Sequence, residues 1–439
     1  MRRNPAEVIV EFLGFSSDSC HGANEQQKFS VREWERALKW LDDSGLAFYF
    51  LQKLKNTSLI DTVPTRVTSR LERNFQANKL RVDDMAHRFG LINHKFNQAG
   101  VRYAALKGVS IVPQFCPDAT LRHQADFDYL VADQSLSAAR QVLVEAGYIP
   151  TASHSSQEFG FVMAGTEEPS RTAEQYSARA PHAVELHLDP WDSSQNRLPL
   201  MPKQFSLQRT TTREWNGLTF PALTDDDAFL LQVLHACKHL FTYWIRMSSL
   251  FEIGYFLNQR ASDASLWNRI EERVGNNVIL REFVVVITEL VAKLFGSPLP
   301  PLVGAWSATI RPAARVWIDR YARRWVFGEL PVYEFCLFPP AKLVLFLHQQ
   351  YEYACAQNHV IRNRMMNFPR LSAMASSVRN SPSLALNPAW WKRHLLIRRS
   401  LFHTLAALRY VCEIPRWRWL NRASIRSAAL DLQFNRDRH

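Results

Sequence analysis

Cysteine is sparse in this chain of 439 residues, and its placement excludes two fold classes. The six cysteines (Cys20, Cys116, Cys237, Cys336, Cys355, Cys412) form no CxxC pair and no zinc spacing, so neither a zinc ribbon nor a disulfide scaffold is indicated. Long apolar runs are also missing. No stretch approaches the roughly 20 uninterrupted apolar residues that a membrane span requires. The first residues, Met1-Arg-Arg-Asn-Pro-Ala-Glu7, lack an apolar signal core and a small-residue cleavage site. Together these absences predict a cytoplasmic protein with reduced thiols. Internal repeats are absent too, which excludes a solenoid. A hydrophobic fraction of 47% against 21% charged residues excludes disorder as the default state.

Acidic residues are scarce at one end only. Residues 361–439 hold 15 Lys and Arg against 3 acids, whereas residues 1–360 hold 38 of each sign. The formal charge of +12 therefore belongs to the C-terminal region. Such a region attracts phosphate, nucleic acid, an acidic protein or a membrane surface.

The length favours two or three domains. Ser30-Val-Arg-Glu33 has capping-box spacing and opens a helical stretch that runs to about Gln98 and stops at Gly100. The pattern then changes. Val101–Leu106 is β-prone, Ser110–Phe115 reads as the first turns of a helix ended by Pro117, and Asp126–Val131 alternates as a strand does. A helix over Ser135–Ala146 follows, then strands over Phe159–Met163 and His182–Leu188, with a loop at 165–180 between them and a last edge strand at Gly217–Pro221. From Asp225 onward the pattern is helical, with segments at Asp225–Tyr243, Ser248–Gln259, Leu266–Glu272, Val278–Leu294, Pro312–Val326, Lys342–Ala356 and Lys392–Val411. The predicted fold class is α+β: a small mixed-sheet core flanked by helical regions on both sides. The predicted boundaries are 1–99 for an N-terminal helical region, 100–222 for the α/β core, 223–360 for a helical domain and 361–439 for a basic helical tail.

The chemistry is concentrated between Lys107 and His187. Asp126 and Asp128 stand two apart on a predicted strand, so their carboxylates share one face. Like charges held so close are costly unless a cation neutralises them, and oxygen-only ligands suit Mg²⁺ or Mn²⁺. Glu185, flanked by Val184 and Leu186, supplies a third carboxylate from a second predicted strand. Three carboxylates on neighbouring strands hold a metal pair of the kind used for in-line phosphoryl displacement. Upstream, Gly108 at a strand end lets a phosphate approach backbone N–H groups, with Lys107 or Arg122 adding charge. Any one of these pieces is common in proteins; their order is not.

That order resembles the DNA polymerase β nucleotidyltransferase superfamily. More closely, the chain is similar to the bacterial uncharacterised nucleotidyltransferase family, on Leu106-Lys107-Gly108, Arg122, Asp126-Phe-Asp128-Tyr-Leu-Val131 and Glu185-Leu-His187. His235-Ala-Cys-Lys-His239 and Arg246 lie in flanking helical segments that also look similar. The resemblance spans about residues 30–260. It departs at Ser110, two residues rather than one after Gly108, at the longer stretch from Gly108 to Asp126, at Tyr129 in place of an aliphatic residue, at Leu188 in place of Trp, and at Glu252 in place of Asp. The resemblance implies a polymerase β-like core that uses Mg²⁺ (or Mn²⁺) and an NTP such as ATP as substrate. By carry-over, Asp126, Asp128 and Glu185 are catalytic and bind metal. Lys107, Gly108, Ser110, Arg122 and His187 lie towards the nucleotide. The implied reaction moves an NMP to an acceptor hydroxyl or amine on a small molecule, a protein or an RNA. Two further readings stay open: a catalytically silent nucleotide-binding or interaction module, and a toxin-like RNA nucleotidyltransferase whose basic tail holds the RNA.

Other features favour plainer roles. His235 and His239 have zinc spacing on a predicted helix but no third ligand, so a structural role is expected. His187 shares the face of Glu185 and either touches substrate or orients that acid. Asp225-Asp-Asp227 is expected to cap its helix. The Arg/Trp-rich stretch from Trp390 to Trp419 suits nucleic acid, and equally a basic helix docked on its own protein, which is the reading favoured by its charge pattern.

Overall fold

The structure is a computed structural model that describes residues 3–15, 26, 28–151, 157–164, 176–177, 182–191, 205–241, 246–320 and 322–327, together with 415 and 419. The chain divides into two compact units, one of residues 1–238 with 246–308 and one of residues 239–245 with 309–439.

The first unit opens with helix α1 (Pro5–Leu13), capped by the Asn4 side chain. The helical pattern expected over 30–98 is realised as three helices, α2 (Val31–Ser44), α3 (Ala47–Asn56) and α4 (Thr65–Gln98). The capping box forms, with Glu33 accepting from the Ser30 backbone N–H at 2.7 Å. Gly45 ends α2 at φ 74, a left-handed conformation that glycine adopts without a Cβ penalty. Pro64 then stands directly before α4, where a missing N–H costs nothing.

Seven strands form one mixed sheet: β1 (Tyr103–Ala105), β2 (Asp126–Val131), β3 (Tyr148–Pro150), β4 (Glu158–Met163), β5 (Ala183–His187), β6 (Thr210–Trp215) and β7 (Leu218–Leu223). Their order is β3-β4-β5-β2-β1-β7-β6, with β2 parallel to β5, β1 parallel to β7, and the remaining pairs antiparallel. Helix α5 (Leu136–Glu145) connects β2 to β3. The α+β class expected from sequence is the one observed. Two strands were not foreseen: β3, because three residues carry too little pattern, and β6, because Thr210-Thr-Thr-Arg-Glu reads as polar loop. Since β6 lies outside β7, the expected edge strand is an inner one. Ser110–Phe115 does not start an α-helix. A single 3-10 turn, Gly108–Ile111, stands there, too short to wind on before Pro113.

One face of the sheet is apolar. Phe127, Tyr129 and Val131 of β2 and Val184 and Leu186 of β5 pack against Met85, Phe89, Ile92 and Phe96 of α4 and Val142 and Leu143 of α5. Tyr129, fully buried, lies parallel to Phe89 at 5.9 Å between centroids, and its hydroxyl meets Asn93 Nδ2 at 3.1 Å. This aromatic layer accounts for the larger residue in place of an aliphatic one. Period-two alternation then turns Asp126, Asp128, Glu185 and His187 to the opposite face.

Helices α6 (Asp225–Phe241), α7 (Met247–Arg260), α8 (Ala264–Val274), α9 (Val278–Phe295) and α10 (Pro301–Ser307) follow. Asp225, Asp226 and Asp227 stand in the first turn of α6, where their charge complements the helix dipole as expected. Asp226 and Asp227 are buried and form an ion-pair network in which Arg209 meets both, Arg273 meets Asp227 at 2.7 Å, and Arg213 and Arg260 meet Asp225 at 2.7 and 3.0 Å. The network ties the polar strand β6 to α6, α7 and α8. In the second unit, the helix expected over Pro312–Val326 is two, α11 (Pro312–Arg320) and α12 (Ala322–Phe327). The helices expected at 342–356 and 392–411 and the loop at 165–180, Tyr176 and Ser177 excepted, lie outside the described residues. So does most of the Arg/Trp-rich stretch, of which Trp419 is exposed. Among the described residues no helix is long and apolar enough to cross a membrane.

Candidate active site

Register brings the acids together. In the parallel pair of β2 and β5, Asp128 stands directly opposite Glu185, and His187 opposite Leu130. Asp128 is buried at 5% exposure and its Oδ1 accepts from two cationic groups, Lys107 Nζ at 3.1 Å and His187 Nε2 at 3.0 Å. His187 Nε2 also lies 3.5 Å from Glu185 Oε2. One ligand-type atom from each of Asp128, Glu185 and His187 falls within 4.8 Å of the others, the one such group among the described residues. Two carboxylate oxygens and one imidazole nitrogen form a donor set that a divalent cation accepts.

Asp126 stands two residues from Asp128 on the same face but outside that trio, partly buried at the start of β2. No hydrogen bond or ion pair engages its carboxylate among the described residues. Of the three acids expected together, Asp128 and Glu185 stand in one group whose third member is His187, and Asp126 lies outside it.

The charges shift one another. Burial raises the Asp126 carboxyl, and the neighbouring Asp128 and Glu185 charges push it further, to about 6. Burial opposes ionisation of Asp128 as well, yet the Lys107 ammonium and the His187 hydrogen bond win and hold it well below the usual range. His187 is raised to about 9: burial disfavours its cation, but hydrogen bonds to Asp128 and Glu185 outweigh that.

The remaining expected residues divide. Lys107 meets Asp128 at 3.1 Å, and Gly108 follows it in the turn after β1. Gly108 has φ 64, and a Cβ there would come within 2.0 Å of Gln124 Nε2. Gln124 fills that space and donates to the Asp126 carbonyl at 2.7 Å, fixing the entry of β2 against the glycine turn. Nothing in the sequence singled out Gln124, because a lone amide before a strand carries no pattern. Ser110 is buried in the 3-10 turn. Arg122 is turned towards α7, where its Nε meets Glu252 Oε1 at 2.9 Å. Tyr49 of α3 donates to the same oxygen at 3.0 Å, and Glu252 is fully buried. Neither His235 nor His239 belongs to a group of metal-ligand type among the described residues.

A family model described as "Uncharacterised nucleotidyltransferase" matches residues 30–296, more than half of the chain. The chain belongs to that family. The match spans Lys107 to His187, where the candidate site residues lie, and ends within the first unit. No curated protein matches the chain. Among solved structures, it is similar to an antigenic nucleotidyltransferase-like protein from Paracoccidioides brasiliensis, at 12% identity and a TM-score of 0.27, over 47% of this chain and 91% of that one.

Proposed function

We propose that this nucleotidyltransferase-family protein transfers an NMP from an NTP to an acceptor hydroxyl or amine in a metal-dependent reaction. The observation that carries this reading is the pairing of Asp128 with Glu185 across two parallel strands, with Asp126 beside them on the same face. The donor set fits a divalent cation, and Asp126, Asp128 and Glu185 would hold it, with His187 as a nitrogen donor at the same place. A bound divalent metal supplies Lewis-acid stabilisation of charge on the phosphoryl oxygens.

The chain's own groups do the rest. The Gly108 turn offers backbone N–H groups to phosphate oxygens, and Lys107 adds a cation beside Asp128. The acceptor's oxygen or nitrogen attacks the α-phosphorus and forms the new bond. The bond from that phosphorus to the bridging α–β oxygen breaks, and pyrophosphate leaves with the electron pair. Glu185, a third exposed where Asp128 is buried, receives the acceptor's proton.

The test is binding and turnover in sequence. An NTP titrated with Mg²⁺ or Mn²⁺ binds the wild-type chain and fails to bind Asp128→Ala; equal affinity in both ends the reading. Labelled NTPs incubated with the protein and cell extract then release pyrophosphate and mark the acceptor fraction. Binding with no pyrophosphate from any extract makes the protein a silent nucleotide-binding module instead. Label in RNA, with affinity that falls steeply with salt, assigns the acceptor to nucleic acid held by residues 361–439.

A further inference from the structure

Among the described residues, the inward-facing arginines named next pair with oxygen, and Arg246 does not. Arg81 donates to the Gln124 and Ser177 carbonyls at 3.1 Å each. Arg213, Arg260 and Arg273 meet the carboxylates of Asp225 and Asp227, and Arg122 meets Glu252. Arg246, directly before α7, differs. Its Nη2 lies 2.7 Å from His123 Nδ1, a neutral nitrogen that accepts because guanidinium only donates. Its Nε is enclosed and has no hydrogen-bond partner. Among the described residues no carboxylate or carbonyl oxygen bonds it.

The unmatched cation is not in a remote corner. His123 follows Arg122, whose guanidinium is held by Glu252 on α7, the helix that Arg246 opens. The Arg122-His-Gln124 run leads straight into Asp126, and each of its side chains is fixed, by Glu252, Arg246 and the Asp126 carbonyl in turn. Burial and the neighbouring Arg122 charge both disfavour the Arg246 cation, while Asp126 and Glu252 favour it from a distance. Glu252 is committed elsewhere: its Oε1 takes Arg122 and Tyr49. Of the two guanidinium groups near Glu252, only that of Arg122 bonds it, just before the strand that carries the acids.

A half-buried guanidinium whose Nε is enclosed without an anion is costly and survives where something offsets it. Its planar fork suits the paired oxygens of a phosphate, and far better than an ammonium would. We propose that Arg246, backed by Arg122, is an oxyanion subsite beside Asp126 that binds a phosphate group of the substrate. The choice of phosphate, rather than of an anion in general, rests on the nucleotidyltransferase reading. That phosphate comes either from the triphosphate of the nucleotide or from a phosphorylated acceptor.

The experiment uses the full chain, Arg246→Gln, Arg246→Lys and, as a separate control, Asp128→Asn. Calorimetric titration with tripolyphosphate in EDTA reads the anion site without metal; wild type binds, Arg246→Gln loses about tenfold or more in affinity, and Arg246→Lys recovers only part. Titration with a non-hydrolysable NTP and Mn²⁺ then separates the sources. A parallel loss in Arg246→Gln assigns the subsite to the triphosphate. Unchanged NTP affinity, with loss of inorganic phosphate binding to the NTP-saturated protein, assigns it to the acceptor. Arg246→Gln weakens metal-free tripolyphosphate binding in the Asp128→Asn background as well, so failure of the metal-nucleotide reading leaves this result legible. A melting curve guards against a structural effect: removing an unmatched cation raises the ligand-free Tm, whereas removing a structural prop lowers it. Anion affinities that are equal in wild type and Arg246→Gln, whatever the Tm, overturn the proposal.

Discussion

Single side chains decide the charge state of the site. Asp128 stays ionised because Lys107 and His187 both bond its Oδ1. Replacing it by Ala removes the best-placed oxygen of the trio, and turnover in the pyrophosphate assay should fall by roughly a thousandfold or more. His187 adds nitrogen to an otherwise oxygen set, and imidazole suits transition metals better than Mg²⁺. His187→Gln should therefore weaken Mn²⁺ by about 10–100-fold and Mg²⁺ by less, with both read by calorimetry and the loss of nitrogen coupling read by Mn²⁺ electron spin resonance. A second histidine reports on stability. His182 is buried against Asp84, and burial first, then the Arg81 charge, depress it to about 4. Its folded value lies below the unfolded one near 6.5, so the unfolded chain binds the extra proton. Stability is then complete above pH ~6.5 and declines as pH falls towards 4, by about 2–3 kcal/mol for this group. Urea unfolding at pH 7 and pH 5 should show that loss in the wild type and a smaller one in His182→Gln.

At the scale of elements, the turn after β1 and the network under α6 set the geometry. Gly108→Ala would force a left-handed residue to carry a Cβ into Gln124. The backbone term alone costs about 1–2 kcal/mol, and expulsion of Gln124 frees the entry of β2. The expected outcome is a folded protein, by circular dichroism, with NTP affinity reduced at least tenfold. Asp227→Ala removes the fully buried carboxylate that Arg273 meets and that Arg209 shares with Asp226. Such a break costs roughly 3–5 kcal/mol, which a thermal melt would read as a fall of several degrees without a change in metal affinity at 25 °C.

For the molecule as a whole, the charge is separated along the chain: residues 1–360 balance, and residues 361–439 carry the excess. Retention on heparin should accordingly depend on that tail. Changing Lys392, Arg393, Arg398 and Arg399 to Gln should lower the salt needed for elution, and the same number of changes among exposed cations of residues 30–98 should lower it much less.

Much of this was legible in residue order. The D-x-D alternation of β2, the Glu-Leu-His of β5 and the glycine stop before β1 are local patterns, enforced by strand and turn geometry, and they carried the α+β core and the family. The pairing of Asp128 with Glu185 is a matter of register between strands more than 50 residues apart, and no local pattern encodes register. For the same reason β6 was missed: its polar residues become a strand only because β7 and the Asp225–Asp227 network receive them. Arg122, expected near the phosphates, is tied to Glu252, 130 positions away, a pairing that no local pattern announces. His187, ambiguous as a residue, became a donor beside Asp128 once the two strands were side by side. Sequence alone determined which residue types could do the chemistry and which face of each strand they share, since both follow from covalent geometry. Which of them meet, and which arginine is left without an acid, was decided only by tertiary packing, because contacts between distant segments depend on how the cores beneath them close.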